Sequence, residues 1–309
     1  MVKILALSPF DGLSEFAYNL LQSILETIYT GTYTVCESLF NGMFNSLNNK
    51  MGELSGNLTQ SPQAWNATAF GVAENVAKNA CIPIAGVVIT FVFCWELIHL
   101  MQESNQMHNI KPDTILIKLI TLAVCLLVCS KSFEIVMGFY EIGSFATKKV
   151  SQSTNNKEIG EDLKLEDFIE KKESDFSFWD VLKICMDFLA LGVSRLTIMV
   201  CGVIIHVRVL LWFIELLIYS SVAPIPFATF GNKDWSQMGM NYVRKMLAVC
   251  FEGFFMLLIF AMYGGVLTGA YLQQGDFFES ILMIIGGSFA FVMLLYKAGS
   301  ISASIFNAH

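Results

Sequence analysis

Charged side chains are scarce in this sequence. Asp, Glu, Lys and Arg make up 15% of its 309 residues, against about 25% in soluble domains. Lys and Arg nowhere gather into a patch of the kind that binds a nucleic-acid backbone. The apolar residues group into long runs instead, and the mean hydropathy is +0.58. Runs of about 18 or more apolar residues predict helices that cross a bilayer, so we expect an all-α, polytopic helical membrane protein.

Motifs for catalysis are also missing. The chain has no Gly-x-x-x-x-Gly-Lys-[Ser/Thr] phosphate loop and therefore cannot be its own ATP-driven motor. It has no His-Glu-x-x-His, and its four scattered histidines predict neither a metal cluster nor a Ser–His–Asp set. Its eight cysteines include no Cys-x-x-Cys and mostly lie in apolar runs, which favours small hydrophobic side chains over disulfides or zinc ligands. We expect no enzyme activity and no cofactor.

Residues 1–78 predict an amphipathic N-terminal helical region. Apolar residues recur at helical spacing from Leu13 to Ile28 and again from Cys36 to Leu47, with Gly31 between them. This pattern predicts two amphipathic helices joined by a short turn. Neither is apolar enough to span, so they lie on the membrane surface or pack on another subunit, with a small soluble hairpin as the alternative. Residues 55–78 predict a linker or a short helix.

Two membrane spans are predicted in residues 79–146. The first runs from Pro83 to Met101, with Pro83 in its first turn, where a missing N–H costs nothing. The second runs from Thr114 to Ser130, has Asp113 as its N-cap, and continues as an interfacial helix through Tyr140.

Residues 147–177 form the one substantial hydrophilic segment. Six lysines stand against eight acids there, which predicts a solvated loop with a short helix around Phe168 and Ile169.

Three further spans are predicted in residues 178–309. Residues 178–195 predict an amphipathic lead-in helix and 196–222 the third span, and the two together are alternatively one long bent helix. The fourth span is 246–267, entered through an interfacial segment containing Trp235 and Tyr242. The fifth is 281–296, followed by Lys297 and a short tail.

The distribution of Lys and Arg predicts an orientation. The loop 223–245 carries Lys233, Arg244 and Lys245, whereas 271–279 carries none. This pair places 223–245 and the C-terminus in the cytoplasm, and five spans then place the N-terminal helices and 147–177 outside. The six lysines of 147–177 argue for the opposite orientation.

The sharpest local motif is Ala223-Pro224-Ile225-Pro226. Neither proline can donate to a carbonyl one turn back, and each pushes the residue before it out of the α region, so the helix is expected to stop here. A non-helical stretch at membrane depth persists only where it is buried in protein or faces water. The alternative is a plain helix stop at the interface.

The residues around this motif resemble a known family. The run from Glu215 to Gly231, followed by Trp235-Ser236 and by Asn241-Tyr-x-Arg-Lys245, is similar to TrbL, the polytopic inner-membrane component of type IV secretion systems that is called VirB-six in the conjugation nomenclature. The version here is most similar to those of conjugative elements in Gram-positive bacteria. The resemblance covers residues 205–265, and the order of spans and hydrophilic loop outside it fits as well.

Five ionisable residues lie in or near the spans: Glu96, Lys118, Arg208, Glu215 and Glu252. Charge in a bilayer is costly, so such residues usually face a bundle interior, an aqueous path or a partner subunit. Arg208 and Glu215 share one face but lie about two turns apart, so each is expected to need a partner elsewhere. For Glu96 and Lys118 the alternative is that they lie near span ends and reach the interface by snorkelling.

The resemblance implies a scaffold and conduit subunit of a conjugative type IV secretion machine in the cytoplasmic membrane. It implies that several copies assemble in the lipid, contact the machine's ATPases and bitopic membrane proteins, and help to pass single-stranded DNA or protein outward. The alternative is a secondary transporter or ion channel with charged residues lining a pathway. A third possibility is an accessory or immunity protein with no transport role.

Overall fold

Helices make up the regular structure of this chain. The computed structural model describes residues 9–107, 112–154, 164–167, 169, 171–172, 177–271 and 277–308, and all regular structure in them is helical. Four helical stretches are long and apolar enough to cross a membrane: 67–102, 178–231, 236–266 and 277–305. A bent pair, 115–130 with 132–153, raises the number to five. The prediction of an all-α polytopic protein is confirmed.

The helices follow in chain order. They are α1 (Pro9–Thr59), α2 (Pro62–Trp65), α3 (Ala67–Val76), α4 (Ile82–Met107), α5 (Pro112–Ser130), α6 (Ser132–Thr154), α7 (Phe178–Val222), α8 (Pro224–Ala228), α9 (Ser236–Tyr271) and α10 (Phe277–Ile305). A π-helical turn (Ala77–Cys81) joins α3 to α4, and short 3-10 turns lie at Leu165–Asp167 and Thr229–Gly231.

The predicted turn after Gly31 is wrong, because α1 runs through it as one helix of 51 residues. Glycine in a helix interior costs only about 1 kcal/mol, which tertiary packing can offset. The packing here is regular, with buried residues spaced by three and four along one face: Tyr29, Tyr33, Cys36, Phe40, Met43 and Leu47. The earlier stripe, by contrast, is exposed at Phe16, Leu20, Leu21, Ile24 and Ile28.

Residues 55–78 are helical apart from two brief breaks. Ser61 is the N-cap of α2, where its side chain accepts a hydrogen bond from the Ala64 amide at 3.2 Å. Asn66 is the N-cap of α3 and accepts from the Ala69 amide at 2.9 Å. The linker interpretation is therefore wrong, and the short-helix interpretation is right.

The first span begins earlier than predicted. Helical geometry is continuous from Ala67 to Gln102, so Pro83 lies inside the longer stretch, although it falls in the first turn of α4 as predicted. The π-helical turn ends at Cys81, just before the proline. This is where the missing N–H of Pro83 interrupts the regular hydrogen-bond ladder, and a local change of helix type accommodates it.

The second span ends close to its predicted boundary. Its helix α5 begins at Pro112, so Asp113 is a first-turn residue and not the N-cap. A single residue separates α5 from α6, which bends away by 65°. It continues well past Tyr140, to Thr154, and so takes in the start of the segment predicted to be a solvated loop.

The hydrophilic segment is partly folded. A 3-10 turn occupies Leu165–Asp167, and both Leu165 and Ile169 are buried. Phe168 lies outside the described residues. Lys172 forms an ion pair with Asp180 at 2.5 Å, and the Lys172 amide donates to the Tyr29 hydroxyl at 3.4 Å. The described part of this segment therefore packs on α1 as well as facing solvent.

The last three spans are longer than predicted. Residues 178–222 form one helix, α7, as the single-helix alternative proposed. The predicted interfacial segment before the fourth span lies mostly in the first turns of α9, with Trp235 immediately before it. Helix α10 continues past Lys297 to Ile305, so most of the predicted tail is helical.

The chain divides into two compact units. One comprises residues 1–50, 157–203 and 263–290. Within it α1 and α7 run parallel, since Met43 accepts a hydrogen bond from Ser194 at 3.6 Å and Lys50 lies beside Gly202. The other comprises residues 51–156, 204–262 and 291–309, and it holds all nine residues singled out from the sequence.

Candidate functional site: a proline-broken helix and two ion pairs

The proline motif interrupts the helix for a single residue. Helix α7 ends at Val222, and α8 starts at Pro224. Ala223 keeps α-helical angles (φ −50°, ψ −38°) and Ile225 lies inside α8, so the prediction that both leave the α region is wrong. The reason is position: Pro224 and Pro226 fall in the first turn of a helix, where backbone N–H groups have no intrahelical acceptor to lose.

The break is buried in protein. Phe227 and Ala228 are 2% and 0% exposed and pack against the adjacent faces of α4 and α5, formed by Ala85, Ile89, Cys125 and Cys129. The Cys125 thiol donates to the Phe227 carbonyl at 3.4 Å, and the Thr229 hydroxyl donates to the Pro226 carbonyl at 2.7 Å. These bonds satisfy carbonyls near the interruption, as burial requires.

A polar cluster lies at the end of this packed region. Lys118 of α5 forms an ion pair with Glu96 of α4, and the Asn232 amide donates to the other oxygen of the same carboxylate. Asn232 is 3% exposed. Glu96 and Lys118 therefore pair with each other, which accounts for both charges without snorkelling. A crevice of about 10 Å³ beside them is lined mainly by apolar side chains and has room for about one water at most.

Aromatic side chains surround this end of the unit. The Trp235 ring lies 5.8 Å from that of Phe91, and the Trp95 ring lies 5.5 Å from that of His99. Tryptophan is enriched where a helix bundle meets the membrane–water interface. The cluster of Glu96, Lys118 and Asn232 thus has the surroundings of an interfacial polar site.

A second ion pair is more fully buried than the first. Arg208 of α7 pairs with Glu252 of α9, and both residues are buried. The Arg208 guanidinium stands 5.9 Å from the centre of the Tyr296 ring of α10. Arg208 thus has its partner on another helix. A buried pair of this kind contributes little net stability, but losing one partner leaves an uncompensated charge and is strongly destabilising.

Close helix approach at this pair depends on two glycines, of which Gly299 was not distinguished in the sequence. A β-carbon on Gly299 would lie 2.9 Å from the Glu252 carboxylate. The Trp212 indole donates to the Val249 carbonyl at 2.8 Å, and a β-carbon on Gly253 would meet the Trp212 ring at 2.9 Å. Asn232 was missed as well. A glycine or asparagine at such a point has no periodic signature that separates it from others in the same run.

Glu215 belongs to neither pair. It is half-buried, and in the described residues its carboxylate has no ion-pair partner. Of the five charged candidates, the structure therefore joins four into two pairs.

The family comparison covers most of this architecture. The sequence model of a family described as TrbL/VirB6 plasmid conjugal transfer like protein matches residues 47–224. This range includes α3 to α7 and ends at Pro224, so it overlaps the resemblance seen at 205–265 only from 205 to 224. Among curated proteins and solved structures, none matches the chain. Since more than half of its residues fit the family, this multi-pass membrane protein belongs to the TrbL/VirB6 plasmid conjugal transfer-like family.

Proposed function

We propose that the protein is a scaffold and conduit subunit of a conjugative type IV secretion machine. It resides in the cytoplasmic membrane and helps to move single-stranded DNA or protein across it. Membership of a conjugal transfer family is the observation that carries this proposal.

The arrangement of the charges supports a scaffold over a transporter that works alone. A pathway for ions or polar solutes needs charged groups that face an aqueous space. Here Arg208 and Glu252 are engaged with each other in a packed interior, and Glu96 is engaged by both Lys118 and Asn232. The crevice beside Glu96 and Lys118 has room for roughly one water. These two ion pairs thus tie helices together.

The proposed partners are other subunits of the machine. They include its ATPases and bitopic membrane proteins, further copies of this chain and, transiently, single-stranded DNA. The exposed apolar stripe on α1, from Phe16 to Ile28, offers a face for a partner helix or for lipid.

The decisive experiment compares transfer with transport. Deleting the gene from its conjugative element should abolish transfer, and supplying it in trans should restore transfer. The tagged protein should co-purify with an ATPase of the machine, and in liposomes it should show neither conductance nor solute uptake. Transfer at the parental frequency after deletion would refute the proposal, and flux through the purified protein alone would favour the transporter.

A further inference from the structure

Glu215 and Lys245 are two of the three charged residues of the family-like motif, the third being Arg244, and the site uses none of them. Both are half-buried, and in the part of the chain that the structure describes neither takes part in an ion pair. A charge left unpaired in a membrane-spanning helix is costly, because the bilayer offers it no solvation. The position of each residue along its helix indicates where its partner lies.

Helices α7 and α9 run antiparallel and contact one another in regular layers. Three layers are visible as Arg208 with Glu252, Trp212 with the Val249 carbonyl, and the Tyr219 carbonyl with the Tyr242 hydroxyl at 2.6 Å. The steps along α7 are four residues and then seven, and the matching steps towards the start of α9 are three and then seven, so the layers stay level to within one residue. This is the spacing of two helices that share a continuous contact.

One layer of this series is still unassigned. On α7, Glu215 lies three residues after Trp212 and four before Tyr219. On α9, Lys245 lies three residues after Tyr242 and four before Val249. Glu215 and Lys245 therefore occupy facing positions at the same level. The neighbouring base, Arg244, is turned about 100° away from this line of contacts.

We propose that Glu215 and Lys245 form a second ion pair between α7 and α9 that closes in the bilayer. Each helix then carries opposite charges one heptad apart, in an order that matches only this register. A slide of one heptad would place Arg208 against Lys245, or Glu215 against Glu252, which are like charges. The two pairs together fix the axial register of α9 against α7, and therefore where α9 begins after α8. They also explain why Glu215 and Lys245 belong to one motif.

Charge exchange tests this pairing. Glu215→Lys and Lys245→Glu should each lower the unfolding temperature in detergent by roughly 4 °C or more, because each places like charges face to face. The double variant E215K/K245E should regain most of that loss. The matched control E215K/R244E should regain none of it, since Arg244 points elsewhere. If single reversals fail to insert, Glu215→Gln and Lys245→Met, alone and combined, remove the charges without reversing them.

Two results would overturn the inference. One is a double variant that is no more stable than the weaker single variant. The other is restoration in trans, in which separately tagged E215K and K245E chains recover stability only when they are produced together. The ion pair would then join two copies of the chain and not two helices of one copy. The unfolding temperature does not depend on DNA transfer, so failure here is distinguishable from failure of the proposed function.

Discussion

Gly299 of α10 lies directly against the carboxylate of Glu252 on α9. A β-carbon at Gly299 would stand 2.9 Å from Oε1 of Glu252, an atom already engaged by Arg208. The absence of a side chain at Gly299 thus allows three helices to meet at one buried charge pair.

Replacing Gly299 should therefore destabilise the protein, although alanine is the better helix former. We expect Gly299→Ala to lower the unfolding temperature, because the new methyl group displaces the Glu252 carboxylate from Arg208. Gly286, on the same helix, is the matched control, since nothing lies within 4 Å of a β-carbon there. Gly286→Ala should raise stability by up to about 1 kcal/mol. Equal effects of the two changes would contradict this account.

Removing one member of the buried pair should cost more than removing both. Arg208→Leu or Glu252→Leu leaves a buried charge unpaired, at a cost of about 3–5 kcal/mol. The combined variant should be more stable than either single one. Thermal unfolding of the four proteins in one detergent measures the difference as a double-mutant cycle. Additive losses would show that the two side chains do not interact.

At the proline motif, the packing of Phe227 should contribute more to stability than the two prolines do. Phe227→Ala removes a side chain that is 2% exposed and should cost about 3–5 kcal/mol. Pro224→Ala and Pro226→Ala restore N–H groups in the first turn of α8 and should change stability by less than about 1 kcal/mol. A proline variant as damaging as Phe227→Ala would mean that the interruption itself holds the fold.

The Cys36 thiol should make stability depend on alkaline pH. Burial, helped by the negative charge of Asp187, raises the pKa of Cys36 to about 11 from its ordinary value of 9.0. Its contribution is fully present below pH 9 and is lost as the pH rises towards 11, because the unfolded chain releases the proton first. The unfolding temperature should fall across this range, and it should fall less in Cys36→Val. The same slope in both proteins would exclude Cys36 as the source.

The presence of a helix could be predicted where apolar runs are long, as in α5 and α10. A segment in lipid must satisfy its backbone hydrogen bonds internally, and a helix does so. Boundaries were less predictable. The turn expected at Gly31 failed because local propensity is weaker than the packing of α1 against α7. The prolines were expected to stop the helix, but α8 follows α7 after a single residue, because a proline in the first turn of a helix loses no intrahelical hydrogen bond. The pairing of Arg208 with Glu252 depends on how α7 and α9 align, which no local pattern records.

The length of α7 has a consequence for how this helix is placed in the membrane. At 1.5 Å per residue its 45 residues extend about 68 Å, whereas the hydrocarbon layer is about 30 Å thick. One crossing needs about 20 residues, and α7 holds more than twice that number. Part of the helix therefore lies outside the hydrocarbon layer.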